Sequence, residues 1–131
     1  MKVKDFMTKG IISCDINDSL NTIAEIMSNN DVGFIAVLDE DEIVGVITDR
    51  DIVIGPILDN VDSISDYINK SIISIDSDDN IEKAFNLMKK NKINRLLVTK
   101  NDKYIGVVSI FDFLESEFIS NVFSTIKEIK N

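Results

Sequence analysis

Histidine is absent from these 131 residues, tryptophan too, and there is one cysteine and one proline. Without histidine the chain lacks the commonest general base and the commonest transition-metal ligand. The single cysteine, Cys14, allows no internal disulfide and no cysteine-built zinc site. Positive charge is also scarce. Fourteen Lys and Arg against 23 Asp and Glu leave a formal net charge of −9, so there is no electrostatic footprint for duplex DNA or an anionic membrane. No apolar run approaches bilayer-crossing length, and Met1-Lys2-Val3-Lys4-Asp5 lacks the apolar core of a signal peptide. The expectations are therefore no nucleic acid, no membrane insertion and a cytoplasmic setting.

What the chain does have is ordinary globular composition, 44% apolar and 28% charged, arranged twice. Residues 5–53 align without a gap on residues 66–114, at the spacing that separates Gly45 from Gly106. Identical pairs include Asp5/Asp66, Ile11/Ile72, Ile12/Ile73, Ser13/Ser74, Asp15/Asp76, Met27/Met88, Val46/Val107 and Asp51/Asp112. Such self-similarity marks a duplicated structural unit. Repeat one is assigned to 1–57, repeat two to 58–115 and a C-terminal extension to 116–131.

Each repeat opens on a short β-run, 11–14 and 72–75. Cys14 has Ile75 as its repeat-mate, which makes it a small buried hydrophobe. Asp18 and Asp79 then stand as helix N-caps. Leu20, Ile23, Ala24 and Met27, mirrored by Ile81, Ala84, Phe85 and Met88, give each helix one apolar face. Two strands follow as a hairpin, 34–38 with 43–47 and 95–98 with 104–108, and a strand-to-helix motif closes the unit. The order β-α-β-β-α, twice, predicts an α+β fold. Ile54-Gly55-Pro56 is expected to break the first closing helix, leaving 57–68 as a bridge. In the tail, Leu114, Phe118, Ile119, Val122, Phe123, Ile126 and Ile129 recur at helical spacing. Their apolar face is expected to cover either this chain's own body or a second copy, with a dimer contact favoured because duplicated lobes already hide their own cores.

The closing motifs, Gly45-Val46-Ile47-Thr48-Asp49-Arg50-Asp51 and Gly106-Val107-Val108-Ser109-Ile110-Phe111-Asp112, carry the chemistry. Glycine inside a strand marks close approach of a backbone or a ligand. A hydroxyl three residues before a carboxylate fits a capping box, which is structural and needs no ligand. The same pair can also bind: a helix start offers N–H groups to a phosphate, and an ionised Asp accepts two hydrogen bonds from a vicinal diol.

Two gapless units closing on Gly-apolar-apolar-Thr/Ser-x-x-Asp resemble a tandem pair of CBS domains, a Bateman module. Asn91-Lys92-Ile93-Asn94-Arg95-Leu96-Leu97-Val98 resembles the segment before the closing motif, with Leu97 where Pro is commoner. The resemblance implies a pseudo-twofold pair with two clefts and an adenosine-containing ligand, with no cofactor required. Carried over by position, cleft one joins Val46, Thr48, Arg50 and Asp51 to Ile72, Ile73, Ile93, Arg95 and Leu97. Cleft two joins Val107, Ser109 and Asp112 to Ile11, Ile12, Val32, Phe34 and Ala36. Asp51 or Asp112 would chelate the ribose, Thr48 or Ser109 would face a phosphate, and the Ile and Val residues would sandwich a purine read mainly by strand backbone.

Arg50 and Arg95 make an anionic nucleotide, AMP, the favoured ligand of cleft one. Cleft two, with Phe34 and Phe111 at the matching places, suits adenosine, S-adenosylmethionine or nothing. Gly33 and Asn94 replace the basic side chains of phosphate-binding members, which argues against di- and triphosphates. The expected function is a homodimeric regulatory sensor signalling to an effector protein in trans. The alternative is a structural homodimerisation module with vestigial clefts. An enzyme is not expected, since no nucleophile–base pair or metal cluster is evident.

Overall fold

The computed structural model of the protein describes residues 1–114 and 119–130. Thr8–Lys9 forms β1 and Ser13–Asp15 forms β2. The first strand of the repeat thus starts later than 11–14. Its ladder with the next strand runs from Ser13 to Asp15, and Ile12 gives that ladder only its carbonyl, to the Ala36 N–H.

Helix α1 spans Leu20–Asn30 and sends Ile23 and Met27 into the core. Its N-cap is Ser19, not Asp18: the Ser19 side chain accepts from the Thr22 N–H. Asp18 instead accepts from the Asp15 N–H at 2.9 Å and so closes the turn before the helix. The second repeat shows the same shift, with Asn80 as cap and Asp79 accepting from the Asp76 N–H at 3.2 Å.

Strands β3 (Phe34–Asp39) and β4 (Glu42–Thr48) form an antiparallel hairpin. They run longer than the apolar residues alone suggest, because the turn is only two residues. Glu40 and Asp41 sit at φ 50° and 66°, the left-handed pair that a tight hairpin requires. Helix α2, Asp49–Ile52, leads directly into a π-helical turn, Val53–Ile57. The Gly-Pro pair therefore widens the helix and does not end it. The wider turn accommodates Pro56, which has no N–H to give, and the Pro56 carbonyl accepts from the Val61 N–H at 2.9 Å.

The second repeat supplies β5 (Ser74–Asp76), α3 (Ile81–Asn91), β6 (Arg95–Lys100) and β7 (Lys103–Ser109). A 3-10 turn, Ile110–Phe113, follows, and helix α4 covers Ile119–Lys130. Asn101 and Asp102 repeat the left-handed hairpin turn at φ 51° and 62°. The α+β fold read from the duplicated pattern is the fold observed.

The chain forms two compact units. One unit is Ile11–Ile72. The other combines Met1–Gly10 with the chain from Ile73 onward. In the first, the sheet runs β2-β3-β4, and its core gathers Cys14, Ile23, Met27, Ile35, Val37, Ile47, Ile52 and Ile64. Burial pushes the Cys14 thiol up to about 11, with the charges of Asp18 and Asp15 adding to the effect, so it stays protonated and unreactive at neutral pH. In the second, the sheet runs β1-β7-β6-β5, and Val3 is fully buried among Ile81, Phe85, Leu96, Val108 and Phe113.

The segment ahead of each repeat is thus structural. The stretch 57–68, expected to be a bridge, puts Ile64 into the first core, and its Asp62 Oδ1 accepts from the Leu20 N–H at 2.9 Å. Asn69 then exchanges both backbone bonds with Val46, at 3.0 and 2.9 Å. Its repeat-mate Thr8 pairs with Val107 in the same way, as part of β1. These pairings explain both strand glycines: a Cβ on Gly45 would lie 2.7 Å from the Asn69 carbonyl oxygen, and one on Gly106 would meet that of Thr8. The close neighbour is backbone.

Helix α4 settles part of the tail question. Val122 is buried in the second unit's core, and Ile126 and Ile129 pack against it. Ile119 and Phe123 remain exposed. Phe118 lies outside the described residues.

Candidate ligand-binding site

The hairpin register sorts the expected site residues by face. In the first unit Ile35 pairs with Ile47, and both point into the core. Side chains alternate along a strand, so the neighbouring pairs, Phe34 with Thr48 and Ala36 with Val46, share the opposite face. In the second unit Leu96 and Val108 are core, while Arg95 pairs with Ser109 and Leu97 with Val107 on the other face. Each unit therefore collects four of the expected residues on the sheet face turned away from its own core. Val32 packs on the first core, and Ile73 and Ile93 on the second, each partly buried. Of the remaining apolar candidates, Ile11 and Ile72 are half-buried and Ile12 is exposed.

The carboxylates do what a capping box requires, with one oxygen each. Asp51 Oδ2 accepts from the Thr48 N–H at 3.0 Å, and the Asp51 N–H donates to Thr48 Oγ1 at 3.1 Å. Asp112 Oδ2 accepts from the Ser109 N–H at 2.7 Å, and Ser109 Oγ accepts from the Phe111 N–H at 3.2 Å. Among the described residues Oδ1 of Asp51 and Oδ1 of Asp112 take no hydrogen bond. Asp51 is half-buried and Asp112 exposed.

Donors expected to face a phosphate are used inside the units. In the first, Asp49 gives its N–H to the Gly33 carbonyl at 2.9 Å, and the Arg50 N–H goes to Asp49 Oδ1 at 2.8 Å. With Thr48 and Asp51 engaged in the box, every N–H from 48 to 51 has an acceptor. In the second, the Ile110 N–H goes to the Asn94 carbonyl at 2.8 Å. Backbone reading of a purine is limited likewise: Val46 is fully bonded to Asn69, and the Ile12 and Ile73 carbonyls accept from Ala36 and Leu97. The N–H groups of Ile11, Ile12 and Ile73 have no acceptor among the described residues.

The chain's two arginines differ. Arg50 is exposed, and Arg95 is half-buried, with Nη1 donating to Asn94 Oδ1 at 2.9 Å. Neither pairs with a carboxylate among the described residues. Sequence reasoning missed Asp49, whose carboxylate lies against Gly33. The only available signal was the acid next to Arg50 in the chain. Among the described residues no cluster of acids or Cys14 is arranged to hold a metal, and no helix is long and apolar enough to cross a membrane.

Comparison with known proteins fits this architecture. The CBS domain model matches residues 3–55 and again 64–118, so the chain belongs to the CBS-domain family, as a tandem pair. It is 35% identical over 121 residues to the uncharacterized protein YlbB of Bacillus subtilis, covering 88% of this chain and 82% of that one. Among solved structures it resembles a CBS domain protein, TA0289 of Thermoplasma acidophilum, with a TM-score of 0.85 at 20% identity, covering 100% of this chain and 77% of that one. It also resembles the CBS domain pair of protein MJ0100, solved with 5′-methylthioadenosine and S-adenosyl-L-methionine. That likeness has a TM-score of 0.78 at 25% identity, covering 95% of this chain and 96% of that one.

Proposed function

We propose that this CBS pair is a regulatory module that binds an adenosine-containing ligand and passes its occupancy to a separate effector protein. The observation that carries the reading is the half-used carboxylate. Asp51 and Asp112 each cap a helix start with Oδ2 and keep Oδ1 for another donor, and an ionised carboxylate has lone pairs enough for both tasks. Apolar strand residues beside them, Val46 and Val107, suit the faces of a purine. Likeness to a CBS pair holding two adenosyl compounds supports the ligand class. Within that class AMP is the first candidate, because Arg50 and Arg95 offer positive charge with no carboxylate of their own among the described residues. No catalytic role is assigned to any residue. A buried, unpaired Cys14 accords with the reducing cytoplasm.

Thermal unfolding tests the ligand. A compound bound only by the native state at a hundred times its Kd adds about 2.7 kcal/mol, several degrees for a chain of this size. Adenosine, AMP or S-adenosylmethionine should give that rise and guanosine should not. The competing reading, a scaffold with empty clefts, draws on the capping boxes themselves, which need no ligand. It predicts no shift with any of them.

The module is further proposed to work as a homodimer. Val53, Ile54, Ile57 and Leu58 are exposed by 52 to 71% along the first closing helix, with no charged residue among them. Phe111, Leu114, Ile119 and Phe123 are a second exposed set. Light scattering should report twice the mass of one chain, and Leu58→Asp should return it to a single mass with unchanged circular dichroism. A wild-type monomer at tens of micromolar would contradict the dimer.

A further inference from the structure

We propose that Asp49 sets a ceiling on the negative charge of the bound ligand, which makes it a specificity-determining residue. The inference rests on the adenosine-ligand reading above and adds which members of that class are refused. Asp49 is the first residue of α2. Its carboxylate occupies the space over Gly33, where a Cβ would lie 2.8 Å from Oδ2 and 3.0 Å from Cγ. Its Oδ1 takes the Arg50 N–H at 2.8 Å. An anion belonging to the protein therefore already sits at the helix start, and the donors from 48 to 51 are spent within the unit. A ligand phosphate brought there meets a fixed negative charge and no free backbone N–H.

The second repeat provides an internal contrast. Ile110 stands in place of Asp49 and Asn94 in place of Gly33. The same backbone bond is made, from the Ile110 N–H to the Asn94 carbonyl at 2.8 Å. The backbone geometry thus does not need the acid, and the carboxylate is an addition peculiar to the first repeat.

Asp49 is two residues from Asp51, at the same helix start. On this proposal the 5′ substituent of a ribose held on Asp51 Oδ1 comes within electrostatic reach of the Asp49 carboxylate. Arg50 can offset about one of the nearly two negative charges that the phosphate monoester of AMP carries at neutral pH. Beyond that, each further phosphate charge is repelled, on the order of three- to tenfold in Kd apiece at the dielectric of a partly exposed site. Adenosine and AMP are accepted, ADP is weakened, and ATP is weakened most.

Titration calorimetry of the full chain with adenosine, AMP, ADP and ATP tests this in wild type, Asp49→Asn and Glu42→Gln. The amide introduced by Asp49→Asn keeps an oxygen for the Arg50 N–H, so the helix start survives, and a melting curve checks it. Glu42, an exposed acid at the far end of β4, controls for the loss of one charge anywhere on a chain of net −9. Wild type should bind AMP at least tenfold more tightly than ATP. Asp49→Asn should narrow that ratio severalfold with adenosine unchanged, Glu42→Gln should leave it alone, and added salt should shrink it. ATP binding as tightly as AMP in wild type overturns the proposal, as does an equal effect of the two substitutions. Binding of none of the four compounds overturns the adenosine-ligand reading itself, and this inference with it.

Discussion

Deleting residues 1–9 is expected to unfold the second unit and to leave the first one folded. The segment is small but thoroughly engaged. Val3 is fully buried, worth about 1.5–3 kcal/mol, and Phe6 packs on Phe113 with ring centroids 5.1 Å apart. The Val3 and Lys4 N–H groups donate to the carbonyls of Asp79 and Ser77 at 3.0 and 2.9 Å, and the Met1 carbonyl accepts from the Ile81 N–H at 3.2 Å. Removing the segment takes their partners from the Ser77 and Asp79 carbonyls and the Ile81 N–H, and strips the β7 edge of β1. The total loss is on the order of 5 kcal/mol, comparable to the whole stability of a small domain. Amide hydrogen exchange reads the result by unit. Protection at Leu96, Val98 and Val108 should collapse, while that at Ile35, Val37 and Ile47 persists. Equal protection in both units before and after deletion would contradict the assignment of Met1–Gly10 to the second unit.

The second large effect belongs to Asp51. In Asp51→Asn the new amide oxygen can still accept the Thr48 N–H, so the cap is kept and unliganded stability should fall by less than about 1 kcal/mol. What changes is the other arm of the side chain, from a charged acceptor to an amide donor. Two hydrogen bonds to a charged group contribute roughly 1.5–3 kcal/mol each, so Asp51→Asn should weaken adenosine binding about a hundredfold or more. The ligand-induced rise in melting temperature should vanish at concentrations that saturate wild type. A substitution that lowered stability and ligand affinity in the same small proportion would return Asp51 to a purely capping role.

Much of this molecule is visible in its sequence because duplication displays the same physics twice. The paired apolar faces around Ile23 and Met88, the hairpins, and the Thr48/Asp51 and Ser109/Asp112 boxes all follow from residue type and spacing. Three features are not visible there. Asp18 and Ser19 are both good caps, and only the turn from Asp15 decides between them. Pro56 signals a break wherever the helix cannot widen, and here a π turn lets it continue past Ile57. The third concerns which segment packs where: Thr8 and Asn69 are repeat-mates whose exchange of bonds with Val107 and Val46 is long-range, and no local propensity encodes it. At the site, residue types point to Thr48 and Asp51, but not to the carboxylate of Asp49 over Gly33 or to the internal use of every N–H from 48 to 51. Those depend on how backbone groups are shared, and spacing alone does not carry that information.

The central question is what the spare carboxylate oxygens hold. Calorimetric titration of wild-type protein with adenosine, 2′-deoxyadenosine and 3′-deoxyadenosine addresses them directly, since each deoxy compound removes one donor that the spare Oδ1 would accept and leaves the base untouched. Both deoxy compounds should bind at least tenfold more weakly than adenosine, and Asp51→Asn should erase most of that difference. Equal binding of all three would mean that no carboxylate grips the sugar.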